Sequence, residues 1–309
     1  MHDNNETARR WDCLIVGAGP AGLTAAVYLA RYRRRVAVID NGRSRAALIP
    51  LSRNLPGCAQ GVAGEEFLRC LHAQAAQYQV QVRTGTVEAL QREADGFTAQ
   101  LDAGGCLRAR AVLLATGVID NRPDPPIESW DAAVKHGCVR LCPICDGFEV
   151  IDQTVALIAP AANRVEHALF LTTYTSRLTL FCHNEALPLT ERERTQLTAA
   201  GVVCVEEPIM RIEISTAMQP VIHLHDSVHT FDALYPMLGE TAHSQLALNL
   251  GAQCAEDGRL IVDDKQATSV AGLYAAGDVV NNLNQITVAC AQAAVAATDI
   301  HNHLRPHAA

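Results

Sequence analysis

The sequence predicts an α/β fold of two nucleotide-binding-type domains, and three observations carry that prediction. The chain has 309 residues, 49% of them hydrophobic, which is the length of two ordinary domains and ample for their cores. A strand, a glycine turn and a helix follow one another near the amino end, and the same succession returns beyond residue 150. Between the two lies Cys142-Pro143-Ile144-Cys145-Asp146, a Cys-x-x-Cys with a carboxylic acid directly after it.

The balance of charge narrows the partners. A formal charge of -8 and a pI near 5.8 give no pull towards nucleic acid or anionic membranes, both of which favour basic surfaces. The eleven cysteines are scattered along a long chain, which is not the framework of a secreted disulfide protein. Met1 to Trp11 are mostly polar, and the apolar run Cys13 to Val16 stops at glycine, so no signal peptide is expected. No stretch reaches the roughly 18 uninterrupted apolar residues of a membrane span. The expected compartment is the cytoplasm, which keeps an exposed dithiol reduced.

Taken in order, Asp12 to Val16 reads as a buried strand that runs into Gly17-Ala18-Gly19-Pro20-Ala21-Gly22, with a helix from Ala21 to Arg33. Glycines at 17, 19 and 22 allow a tight turn, close approach of a pyrophosphate to the N–H groups of the helix start, and close packing of helix on strand. The next strand, Arg35 to Ile39, ends in Asp40, 23 residues past Gly17, where an acid meets a ribose hydroxyl. A turn-rich loop follows at Arg53 to Gly57. Gly64 to Tyr78 then reads as an amphipathic helix with Phe67, Leu71, Ala75 and Tyr78 on one face. Strand-like alternation leads to Ala99, and the apolar strand Ala111 to Leu114 ends in Ala115-Thr116-Gly117. Pro123, Pro125 and Pro126 mark a linker.

Past the cysteines, the strand Thr154 to Ile158 leads into Ala159-Pro160-Ala161-Ala162-Asn163-Arg164 and a helix with Val165, Leu169 and Tyr174 at apolar positions. The strand Arg177 to Phe181 then ends in Cys182-His183-Asn184-Glu185. The architecture repeats that of the amino end, and the glycines do not. Near the carboxyl end, Gly272 to Asp278 is a short strand closing on a glycine and an acid. A final helix, Gln285 to Leu304, places Ala289, Cys290, Ala293 and Ala297 at helical spacing, suited to close packing, with its positive end free to face a ligand.

By itself the Cys-x-x-Cys is a redox dithiol, half of a metal site or an inert buried pair. Asp146 favours the dithiol, because electron exchange between thiols also moves protons. Zinc would need four ligands, for which His136, Cys138, Cys142 and Cys145 are the local candidates.

Together, Gly-Ala-Gly-Pro-Ala-Gly at 17–22, Asn-x-Pro-Gly at 54–57, Ala-Thr-Gly at 115–117, Cys-Pro-Ile-Cys-Asp-Gly-Phe at 142–148 and Ala-Gly-Asp at 276–278 resemble the low-molecular-weight thioredoxin reductase family of flavoproteins. The resemblance runs from Cys13 to Leu304 and sets the zinc alternative aside. It implies two Rossmann-like, three-layer domains: a discontinuous FAD domain of residues 1–119 and 243–309, and an inserted NADPH-domain-like unit, 120–242, carrying the cysteines. FAD is the implied cofactor, with no metal, and a homodimer is the implied assembly. By the same resemblance Gly17, Gly19, Pro20, Ala21 and Gly22 receive the FAD pyrophosphate and Asp40 the adenosine ribose. Asn54 approaches the isoalloxazine ring. Ala115, Thr116, Gly117, Gly277, Asp278, Asn284, Gln285 and Ile286 complete the cofactor set. Cys145 faces the flavin, Cys142 meets the external thiol or disulfide, and Asp146 is the acid/base.

One departure bears on function. Family members that use NADPH carry a glycine-rich second turn and His-Arg-Arg at the end of the following strand, where this chain has Ala159-Pro160-Ala161 and Cys182-His183-Asn184. Pro160 has no N–H for a phosphate, and alanine methyls obstruct its approach. Two lost charge-assisted hydrogen bonds, at about 1.5–3 kcal/mol each, weaken binding by about two to four powers of ten. The expected protein is therefore an NADPH-independent FAD-linked oxidoreductase, foremost a dithiol oxidase using oxygen on a small-molecule or protein dithiol. The alternatives are a thioredoxin reductase driven by ferredoxin or another donor, and a flavin-bound redox sensor.

Overall fold

A computed structural model of the chain describes residues 10–182 and 188–304. Its contacts divide into two units, one of Met1–Ala47, Ala63–Ile119 and Thr241–Ala309, the other of Leu48–Val62 and Asp120–Glu240. The chain thus crosses between units four times, at 47/48, 62/63, 119/120 and 240/241.

The first unit opens with β1 (Trp11–Val16), α1 (Pro20–Arg31) and β2 (Val36–Asp40), and continues with α2 (Gly64–Gln77), β3 (Val82–Thr84), β4 (Val87–Glu93), β5 (Gly96–Leu101) and β6 (Cys106–Leu114). β1 lies between β2 and β6, parallel to both, and its Cys13, Leu14 and Ile15 are fully buried. A parallel strand covered on both faces is apolar throughout, which explains the unbroken run at 13–16. The sheet order is β3-β2-β1-β6-β5-β4. The amino half of β6 pairs antiparallel with β5.

β7 (Val118–Asp120) leads into the second unit, whose elements are α3 (Trp130–His136), α4 (Pro143–Asp146), β8 (Thr154–Ala159), α5 (Arg164–Leu171), β9 (Arg177–Cys182), α6 (Glu191–Ala199), β10 (Val203–Val205), β11 (Arg211–Ile214), β12 (Pro220–His223), β13 (Val228–Thr230) and β14 (Ala233–Pro236). β10-β9-β8-β14 is a fully parallel sheet, and β11-β12-β13 an antiparallel one. Phe181 and Phe231 meet edge to face at 5.7 Å in this unit's core. Leu48 packs against the same core, so the loop 48–62 groups with this unit although its sequence neighbours on both sides do not.

The chain returns through β15 (Glu240–Ala242), which pairs with β7, then α7 (Gln245–Leu248), β16 (Leu273–Ala275) and α8 (Ile286–His303). β16 pairs parallel with the carboxyl half of β6, extending the first unit's sheet. α8 buries Ala289, Ala293, Ala296 and Ala297, and α1 buries Ala25 and Ala26; the two helices pack together on their small residues. Among the described residues no helix is long and apolar enough to cross a membrane.

Two helix faces differ from expectation. α2 buries Leu68 and Ala75, with Phe67 and Leu71 only half-buried. α5 buries Ala168 and Leu171 and leaves Leu169 exposed, while Tyr174 lies past its end. α5 has apolar residues on every side, so its period does not select a face.

Candidate active site

The first unit gathers its glycines into a backbone cradle. Gly17, at the end of β1, has φ +102°, and a Cβ there would lie 2.3 Å from the Ala115 carbonyl oxygen. A Cβ on Gly22 would lie 1.9 Å from the Gly17 oxygen. The β1–α1 turn and the end of β6 therefore touch backbone to backbone, and no side chain fits. α1 starts at Pro20 with Gly19 at the N-cap and no side chain capping it, which leaves the orphan N–H groups of the first turn for an anion.

The remaining expected residues of this unit hold the cradle's walls. Asp40 accepts from the Ala18 and Gly42 N–H groups, both at 2.8 Å, one on each carboxylate oxygen. Each oxygen keeps further acceptor capacity for a hydroxyl. Thr116 Oγ1 donates to the His243 carbonyl at 2.7 Å, and the Gly117 carbonyl accepts from the His243 N–H at 3.0 Å. Gly277, at φ +82°, would bring a Cβ within 3.1 Å of the Ala21 methyl. Its N–H donates to Gln292 Oε1 at 2.8 Å. Asp278 pairs with Arg45 at 3.5 Å. Gln285 is the N-cap of α8 and Ile286 its first residue, with Asn284 just before. Gln292, a buried amide on an otherwise apolar helix face, is a site residue that sequence reasoning missed. These residues fit FAD: an open helix N-terminus, a turn where any Cβ would collide, and an acid after β2.

The cysteines lie in the second unit. Cys142 and Cys145 form a disulfide across the first turn of α4, with the Cys145 N–H donating to the Cys142 carbonyl at 2.9 Å. Cys138 is buried, its thiol donating to the Ala133 carbonyl at 3.4 Å. Gly147 follows Asp146 because a Cβ there would come within 2.5 Å of the Tyr174 ring.

Asp146 is largely buried and held on both oxygens. Tyr235 donates its hydroxyl to Oδ1 at 2.7 Å, and the Arg140 guanidinium lies 3.2 Å from Oδ2. Burial pushes the Asp146 carboxyl up from its ordinary range, and Arg140 and Tyr235 oppose that rise. Burial, and then the neighbouring carboxylate, push the Tyr235 hydroxyl up as well, so it remains a donor. Neither Arg140 nor Tyr235 was legible in the sequence: Tyr235 lies 89 residues from Asp146, on β14.

A cavity of about 310 Å³ opens beside Cys145, lined by Arg53, Asn54, Ile144, Phe148 and Glu149. Asn54 thus falls with the cysteines, its Oδ1 accepting from Ser52 at 3.1 Å. Phe148 and Ile144 are 74% and 50% exposed, an apolar rim at the disulfide. A larger cavity, about 510 Å³, opens at the amino ends of β8 and β9. Parallel sheets bind nucleotides at the opposite, carboxyl ends, and the smaller cavity is the candidate for the thiol chemistry because Cys145 lines it.

At those carboxyl ends the second turn carries no glycine. Ala159 is buried at the end of β8 and Pro160 follows. Arg164, 4% exposed, grips Glu193 with two hydrogen bonds of 2.9 Å and donates to the Pro188 carbonyl at 3.1 Å. Glu193 also closes the capping box of α6 with Thr190, and these partners, Arg164 foremost, hold its carboxyl down at about 2. His183 and Asn184 lie outside the described residues.

A dinucleotide cradle joined in one chain to a Cys-x-x-Cys disulfide defines a flavin-linked disulfide oxidoreductase. The chain belongs to the pyridine nucleotide-disulphide oxidoreductase family, whose sequence profile matches residues 11–293. It is similar to the thioredoxin reductase of Mycolicibacterium smegmatis, 26% identical over 297 residues that cover 93% of this chain and 94% of the relative. The thioredoxin reductase of Treponema pallidum (strain Nichols) is 28% identical, with 93% and 95% covered. Among solved structures, HlmI superposes with a TM-score of 0.87 at 28% identity, covering 96% of this chain and 92% of that one. The fold is that of the thioredoxin reductases, the enzyme is a disulfide oxidoreductase of that type, and FAD is its cofactor.

Proposed function

We propose that the enzyme oxidises a dithiol to a disulfide without NADPH and passes the electrons to oxygen, with the overall balance dithiol plus O2 to disulfide plus H2O2. The observation that carries this reading is the glycine-free second turn. Pro160 offers no N–H, Ala159 and Ala161 carry methyls where glycine would leave room, and the nearby cation, Arg164, is engaged by Glu193. Among the described residues, a nucleotide phosphate there meets methyls in place of glycine, one N–H fewer and a cation already engaged.

The chain's own residues act as follows. A substrate thiolate attacks Cys142, the S–S bond breaks, and Cys145 leaves as thiolate. The second substrate thiol gives up its proton towards Asp146, and its sulfur displaces Cys142, releasing the substrate disulfide and leaving both cysteines reduced. Bound FAD supplies the two-electron relay from the cysteine pair to oxygen. Ile144 and Phe148 shield the exchange from water on the apolar side of the cavity. The relatives named thioredoxin reductase support a disulfide or dithiol substrate. A ferredoxin donor is less favoured: the -8 chain does not suit an acidic partner, and in its basic cluster Arg34 is bonded to His301 and Arg35 lies over Trp11.

Anaerobic stopped-flow spectroscopy tests the reading. Millimolar NADPH is expected to leave the flavin absorbance unchanged, whereas dithiothreitol bleaches it and oxygen restores it with peroxide release. Rapid bleaching by NADPH overturns NADPH independence; bleaching by dithiol without reoxidation by oxygen overturns the oxidase.

A further inference from the structure

We propose that Arg140 and Tyr235 are positioning residues for the thiol–disulfide step, together holding the Asp146 carboxylate in the ionised, oriented form that accepts the substrate's thiol proton. This rests on the reading that a dithiol meets the Cys142–Cys145 disulfide.

The geometry is pre-set by one strand. The Arg140 N–H donates to the Leu234 carbonyl at 2.9 Å, and the Leu234 N–H donates to the Cys138 carbonyl at 2.8 Å, so the segment before the cysteines is paired to β14. The next residue on β14, Tyr235, is fully buried and points its hydroxyl at Asp146 Oδ1, while Arg140 takes Oδ2. Asp146 is anchored at its own backbone too, its N–H donating to the Cys142 carbonyl at 3.2 Å. Glu149 is a further charged group acting on Asp146, and its own carboxylate pairs with Arg53 at 3.3 Å. A buried carboxylate without its cation and donor would take up a proton and cease to be a base. Arg140 and Tyr235 therefore act through Asp146, and their signature is the pH at which exchange fails.

The exchange is balanced: two substrate S–H bonds and the protein S–S bond are lost, one substrate S–S bond and two cysteine S–H groups are gained, and Asp146 carries one of the protons across.

The probe is dithiothreitol, used on the FAD-bound protein from pH 5 to 9. Exchange is quenched by alkylation and read by mass spectrometry on the tryptic peptide 141–164, which contains Cys142 and Cys145 and no other cysteine, or, in Arg140→Gln, where that cleavage site is lost, on 136–164, which adds Cys138, with fragmentation locating the label. Stopped-flow bleaching provides a parallel readout. Dividing each variant's rate by that of wild type at the same pH cancels the ionisation of the reagent. For Tyr235→Phe the ratio is expected to be close to one at alkaline pH and to fall towards acid. Arg140→Gln is expected to move the acid limb up further, by about 1–3 pH units, and Arg140→Lys to recover part of it. A ratio that is flat across pH in both Tyr235→Phe and Arg140→Gln overturns the assignment and leaves the functional reading intact. If Arg140→Gln does not fold, Tyr235→Phe decides alone, since it removes one oxygen and keeps the ring in the core. A wild-type disulfide that dithiothreitol never reduces sinks both.

Discussion

The two strand–turn–helix units share a local architecture and differ in what fills the space beyond the strand. The starts of α1 and α5 both lack a side-chain cap, but in the first unit Gly17 and Gly22 bring backbone against backbone at distances no Cβ tolerates. In the second, proline and alanine occupy the turn and Arg164 is turned onto Glu193. On the function proposed above, the same topology cradles a phosphate where glycine leaves room and withholds that room where proline and alanine stand. Function here is a property of the turn rather than of the fold.

The contrast breaks most sharply at Gly22. Gly22→Ala places a methyl 1.9 Å from the Gly17 oxygen, so the backbone must move. We expect a loss of at least about 3 kcal/mol and a colourless protein, read from FAD content per chain and thermal melting. A stoichiometrically yellow variant with an unchanged Tm would mean the cradle is not rigid.

In the second turn the corresponding test is Arg164→Met. Removing the two charge-assisted contacts to Glu193 is expected to lower stability by about 1.5–3 kcal/mol in urea unfolding, with FAD retained. The sign with pH follows from Glu193, whose carboxyl is depressed from 4.5 to about 2 in the folded state. The stabilisation is present above the unfolded value and is lost as pH falls towards the folded one. The gap between wild type and variant should therefore narrow below about pH 4.5, and a gap constant to pH 3 would contradict the pairing.

The smallest effect sharpens the comparison. Pro160→Gly with Ala161→Gly opens the second turn at a cost of roughly 0.5–1 kcal/mol per glycine. NADPH should still fail to bleach the flavin, because Arg164 stays on Glu193 and no second cation arrives. If glycines alone restored bleaching within milliseconds, the methyls and the missing N–H would be the whole obstacle.

What the sequence revealed and what it hid divide along the same physical line. Gly17, Gly19, Gly22 and the Cys142–Cys145 pair were legible because backbone conformation and thiol chemistry restrict those positions to particular residue types within a few places of one another. Arg140 and Tyr235 were not, since each is an ordinary residue until β14 brings them to Asp146. Arg164 read as the last residue of the second turn, and its partner Glu193 lies 29 residues on. Leu48 carried no sign that the loop around it would join the second unit, because the core it packs against is drawn from residues far along the chain, Ile127 to Leu234. The faces of α2 and α5 shifted for a related reason: period gives an arc, and packing chooses the residue within it.

The four crossings between units also impose an order on synthesis. The second unit has all of its chain once residue 240 has been made, for its early piece, 48–62, is already waiting. The first lacks β16 and α8 until the last segment emerges, and with them Gly277 and Gln292 of the cradle. Domains fold as units while the ribosome elongates the chain at about 5–20 residues per second. The cysteine-bearing unit can therefore close several seconds before the flavin cradle is complete. In a cell short of flavin, the nascent product would already present a folded dithiol that has no cofactor to discharge it.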